Sequence, residues 1–109
     1  MQARLLLAEP ALDALGNPVR RQILSLLATG PQAVGEIADV LPISRPAVSK
    51  HLKTLEAANL VAHNAEGTRN LYFLDQSGFA AAKAWLGAFW DDALARFADV
   101  AEATAPETP

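Results

Sequence analysis

The sequence of 109 residues is long enough for one domain and leaves no room for a second core, which excludes most multidomain enzymes. Hydrophobic residues make up 51% and charged residues 19%, and 23 alanines and 16 leucines stand against one tyrosine. That balance excludes a disordered chain and points to a mainly α class. The formal net charge of −3 and isoelectric point of about 5.2 argue against nucleic-acid binding by the molecule as a whole, so such a function must rest on local charge.

In residues 1–15, Leu5, Leu7, Ala8, Ala11, Leu12 and Leu15 recur at a helical spacing interrupted by Pro10, which predicts a short first helix ending at Gly16. Asn17 before Pro18 is an N-cap with proline at the first helical position. Val19, Ile23, Leu24, Leu26 and Leu27 then give one apolar face to a second helix, which stops near Gly30 and Pro31. A two-turn helix over 33–40 turns Val34, Ile37, Ala38 and Leu41 inward, and Pro42 ends it. Ser44 offers the next N-cap, Pro46 is tolerated in the first turn, and Val48, Leu52 and Leu55 recur at helical spacing in a helix reaching about residue 58.

Asn59 is placed to end that helix. Segments 60–63 and 71–74 flank a polar stretch, 64–70, centred on Gly67, which predicts a β-hairpin. A last helix over about 77–103 carries five of the seven aromatic residues at spacings of three and four, and 104–109 reads as a frayed tail. The expected domain is 1–103, with 77–103 as its terminal helix.

With no cysteine in the sequence, disulfides and thiolate metal sites are excluded, as a reducing cytoplasm would allow. The longest uncharged stretch, 22–35, contains Gly30 and Pro31 and falls short of the roughly 20 apolar residues of a membrane helix. The run Leu5, Leu6, Leu7 is cut by Glu9 and Pro10, too short an apolar region for a secretory leader.

Two short helices joined by a tight turn, the second followed by a hairpin, have the order of a helix-turn-helix with a wing, a geometry suited to DNA. On a helical wheel Val48, Leu52 and Leu55 share a narrow arc; Pro46, Ser49, Lys50, Lys53, Thr54 and Ala57 gather opposite, an outward face read as free of acids. Cations there can neutralise phosphates or donate to guanine O6 and N7, and small or hydroxylated groups can approach base edges. Segment 43–70 holds Arg45, Lys50, Lys53 and Arg69 against Glu56 and Glu66, whereas 75–109 holds Lys83 and Arg96 against six acids, so charge is polarised along the chain. An isolated basic helix is most simply a solvated face; the turn before it and the hairpin after it favour the DNA reading.

Three separated stretches in this order, 14–24 (ALGNPVRRQIL), 43–55 (ISRPAVSKHLKTL) and 67–72 (GTRNLY), resemble the arsenical-resistance repressor (ArsR/SmtB) family. The resemblance implies a fold that is mainly α with a small β-hairpin, a winged helix-turn-helix dimeric through its first and last helices. It implies a homodimeric repressor that binds double-stranded operator DNA of approximate two-fold symmetry and is released by an inducing signal. By position, Ser44, Arg45, Pro46, Ser49, Lys50 and Lys53 would face bases and phosphates, with Arg69 reaching the backbone or an adjacent groove from the wing.

Metal-sensing relatives carry cysteines on the helix matching 33–40, where this chain reads AVGEIADV, and the acids Asp91, Asp92, Asp99 and Glu102 of the terminal helix stand without a histidine. No metal site and no cofactor are therefore expected, and the acids are read as solubilising. His51 is read as a neutral histidine at the rim of the helix, and His63 as a surface residue without a site. Three Phe and two Trp on one helix exceed what so small a monomer can cover, so Leu5, Leu12, Phe89, Trp90, Leu94 and Phe97 are the expected dimer contacts. A winged-helix module that binds protein instead of DNA is the competing class. An enzyme is disfavoured, since no cysteine nucleophile, Gly-rich phosphate loop or spaced Ser, His and Asp set occurs.

Overall fold

A computed structural model describes residues 2–104. The order is α1 (Gln2–Leu15), α2 (Pro18–Leu27), β1 (Gln32–Ala33), α3 (Val34–Val40), α4 (Arg45–Ala57), β2 (Val61–Glu66), β3 (Arg69–Leu74) and α5 (Gln76–Thr104). Among the described residues no helix is long and apolar enough to cross a membrane. The expected tail lies outside the described residues from 105 onward, and Thr104 closes α5.

The first helix ends before Gly16 as expected, and α1 runs through Pro10, where the apolar spacing is interrupted. A proline inside a helix removes one hydrogen bond and crowds the preceding turn. Here Pro10 faces solvent, while Ala8, Ala11 and Ala14 are buried on the other side and α1 packs along α5, so tertiary burial holds the helix together. The carbonyls ending α1 are met from the next helix. Arg20 donates to Ala14 and Asp13 (2.7 and 3.3 Å), and Arg21 donates to Leu15 (2.7 Å). The α2 start is as the sequence predicts, with the Asn17 side chain accepting from the amides of Val19 and Arg20 at 2.9 and 3.1 Å.

The core lies where α2, α3, α4 and the first residue of β2 meet. Ile23, Ile37, Val48, Leu52, Leu55, Leu60 and Val61 are its largest fully buried side chains. Helix α4 ends on Asn59, whose φ of 58° is left-handed. The amide of Leu60 donates to Leu55 and that of Asn59 to Glu56, both at 3.0 Å, a Schellman ending that turns the chain into β2.

The hairpin is longer than its apolar segments, because β2 extends to Glu66 and β3 begins at Arg69, closed by Gly67 (φ 64°) and Thr68. The stretch read as a polar turn is mostly strand: backbone pairing needs no apolar side chain when both faces of a wing lie in water. Strand β1 adds a third member, giving the antiparallel order β1-β3-β2 with Gln32 opposite Tyr72. Two residues following a proline carry no periodicity by which the sequence could announce a strand.

Helix α5 is anchored at its start. A Cβ on Gly78 would lie 2.4 Å from the carbonyl oxygen of Ala58, so only glycine lets α5 abut the end of α4 this closely. Its distal part leaves the domain: the radius of gyration is 19.4 Å, against about 13 Å for a compact chain of this length.

Candidate nucleic-acid interface

The reading helix is held from three sides. Val48, Leu52 and Leu55 are all fully buried and fix its rotation. The Ser44 hydroxyl accepts from the Ala47 amide at 3.3 Å and fixes its start, and Pro46 presets the first turn. At the far end the His63 Nδ1–H of β2 donates to the Glu56 carboxylate of α4, and the His63 ring lies 5.0 Å from that of Tyr72, its partner in register on β3. Burial, then Glu56, push the Tyr72 hydroxyl above its ordinary range.

On this scaffold Arg45, Pro46, Lys50, Lys53 and Thr54 are exposed and Ser49 is half-buried. The expected outward face therefore faces outward, with the side chain of Ser44 engaged in its cap. One acid belongs to that arc after all: at 100° per residue Glu56 lies about 20° from Arg45, three turns along the helix. Its carboxylate accepts from His63 at the C-terminal end of the helix, and the first three turns carry Arg45, Lys50 and Lys53 with no acid among them. His51 is half-buried and its imidazole is held below the ordinary histidine range by burial, then by Arg20 and Lys50, which favours the neutral ring.

Two further residues adjust the arginines. A Cβ on Gly35 would lie 3.0 Å from Nη2 and 3.2 Å from Cζ of Arg45, so the guanidinium rests against the first turn of α3 in space that glycine leaves. Arg69 projects from the start of β3 and pairs with Glu36 of α3 at 3.3 Å; both side chains are about half exposed, at 57% and 48%. Glu36 also reaches back to accept the Ala33 amide at 3.1 Å. This is one half of a capping box, since Ala33 has no polar group to complete it.

The expected dimer residues separate into two groups. Phe89, Trp90, Leu94 and Phe97 are exposed on α5, Trp90 at 59% and Phe97 at 70%. Trp90, Ala93, Leu94 and Phe97 line an apolar hollow of about 340 Å³. On α1, Leu5 is half-buried and Leu12 packs against the monomer core, whereas Leu6 and Leu7, which are not among the expected dimer contacts, are exposed. Among the described residues no three His, Cys, Asp or Glu side chains gather as metal ligands would.

Sequence reasoning missed Glu36, the contacts made by Arg20 and Arg21, and the Glu56, His63 and Tyr72 contact. Each joins residues on different elements, where local spacing carries no information; only the Ala33-to-Glu36 interval hinted at a cap.

The profile of the bacterial regulatory protein, arsR family, matches residues 17–63, the span from the Asn17 cap to the first half of β2. The chain is 47% identical over 98 residues to the HTH-type transcriptional regulator Rv2034 of Mycobacterium tuberculosis, covering 90% of this chain and 92% of that one. The chain belongs to the arsR family. It is also 37% identical over 62 residues to the transcriptional repressor SdpR of Bacillus subtilis, covering 57% and 69% of the two chains. Among solved structures, the homodimeric winged helix-turn-helix DNA-binding domain of Mb0332 from Mycobacterium bovis superposes with a TM-score of 0.66 at 34% identity, covering 85% of this chain and 86% of that one. The fold of this arsR-family chain is accordingly a winged helix-turn-helix, with α3 and α4 as the paired helices and β2 and β3 as the wing.

Proposed function

We propose that the chain is a homodimeric, sequence-specific DNA-binding transcriptional regulator that acts in the cytoplasm as a repressor and catalyses no reaction. The observation that carries this reading is the rigid presentation of Arg45, Lys50 and Lys53 on a helix whose opposite side is completely buried. In the major groove, Lys50 and Ser49 sit at mid-helix where base edges come within reach, Arg45 and Lys53 flank them toward the phosphates, and Pro46 gives apolar contact. In this reading Arg69 meets a phosphate beside that groove.

One reading helix covers only a half-site, so two must act together. The apolar face of α5 and Leu6 and Leu7 of α1 supply the surface for a second copy, and the homodimer named for the Mycobacterium bovis relative supports that reading. Release from the operator by an inducing signal follows the family pattern, and without cysteine that signal acts on something other than a thiolate.

Binding to duplexes selected from a random pool, compared with unselected duplex across salt concentration, tests the proposal. The expected result is a selected sequence bound at least about a thousandfold more tightly and a log–log salt slope of about −0.9 per phosphate contacted. Equal, salt-insensitive binding of all duplexes would favour a protein-binding module instead.

A further inference from the structure

The wing arginine is occupied in the DNA-free protein. Arg69 comes from the turn end of the hairpin, Glu36 from α3, and they are 33 positions apart in sequence, yet their side chains meet at 3.3 Å. Glu36 is held for this contact, because the same Oε1 accepts the Ala33 amide at 3.1 Å, which fixes where the charge sits. Arg45 lies against Gly35, the residue immediately before Glu36. One turn of α3 therefore carries a seat for one DNA-facing arginine and a carboxylate for another. Among the described residues no acid pairs with Arg45, so the two guanidiniums differ in what binding to a phosphate would have to displace.

We propose that Glu36 is an intramolecular competitor for phosphate: it holds Arg69 in the free protein and must give it up when the wing meets the DNA backbone. The inference rests on the DNA-binding reading and adds a residue that sets its strength. A phosphate oxygen and the Glu36 carboxylate present the same chemistry to the guanidinium, so contact with one weakens the other. A phosphate contact carries no base identity, so the competition lowers affinity for operator and random duplex by the same factor and leaves their ratio unchanged. Both partners are half exposed, which limits the pair to the modest strength of a surface ion pair and keeps the exchange within reach of binding.

The test is a double-mutant cycle of Glu36→Gln and Arg69→Ala, read as duplex affinity at fixed salt. The glutamine carbonyl preserves the acceptor for the Ala33 amide, and a thermal midpoint within a few degrees of wild type checks the fold. Glu36→Gln should tighten binding about two- to fivefold for each subunit engaged, alike on selected and random duplex. In the Arg69→Ala background at least half of that gain, on a logarithmic scale, should disappear. A variant that binds no better than wild type would overturn the inference while leaving the DNA reading intact. So would a gain of equal size in both backgrounds, which would mean that Glu36 acts only through general repulsion of DNA. Wild-type protein that binds no duplex at all would overturn both.

Discussion

The half of the molecule formed by α2, α3, α4 and the wing is complete within one chain, and the distal half of α5 is not. In the first, Asn17 and Ser44 cap their helices, Arg20 and Arg21 close the end of α1, and each large fully buried side chain belongs to one contiguous core. Its exposed surface is cationic and ordered from below. In the second, Leu86, Phe89, Trp90, Leu94 and Phe97 are about half exposed or more, on a helix that extends past the domain. A surface finished with caps and charges is built to meet a polar ligand; an apolar stripe with nothing over it in the monomer is built to meet another apolar surface.

That contrast can be broken most severely at Trp90. Trp90→Asp places a charge in the proposed apolar contact, and light scattering should then report an 11.6 kDa monomer whose operator affinity has fallen by orders of magnitude. A persistent dimer would move the contact to another face. Next in size, Leu52→Ala removes a fully buried brace of α4 and should cost about 2–5 kcal/mol of unfolding free energy in denaturant titrations while leaving α5 association unaltered. Lys50→Ala, on the finished surface, should leave stability unchanged and cost about 1–3 kcal/mol of operator binding, with relaxed preference at one position. Equal loss on every sequence would assign Lys50 to a phosphate. Smallest is the pH effect of His51. Its folded-state value is depressed, so below the unfolded value near 6.5 the unfolded chain binds more protons; wild type should lose stability as pH falls through that range, and His51→Gln should lose less.

The finished half was also the more legible. Asn-Pro at 17–18 and Ser-Arg-Pro at 44–46 announce helix starts through neighbours one or two residues away, and Val48, Leu52 and Leu55 mark their face by period alone. Where the deciding partner lies on another element, the reading fell short. Strand β1 is defined by β3 alone, and the polar wing strands pair through backbone groups that side-chain character does not report. The acid at Glu56 was left off the outward face on the wheel, and its hydrogen-bond partner is a histidine from the wing. On α5 aromatic spacing showed that apolar surface exceeds what the chain can cover. It did not show that Leu6 and Leu7, and not Leu12, are the exposed leucines of α1.

The measurement that bears most directly on a doubled reading helix is a distance between two copies of it. Because the sequence has no cysteine, Thr54→Cys on the exposed side of α4 gives one spin label per chain. Dipolar spectroscopy of the DNA-free protein should return one population centred near 34 Å, the spacing of successive major grooves on one side of B-DNA. No dipolar coupling at all, or a population below about 20 Å in which the helices face each other, would contradict a symmetric pair able to span two half-sites.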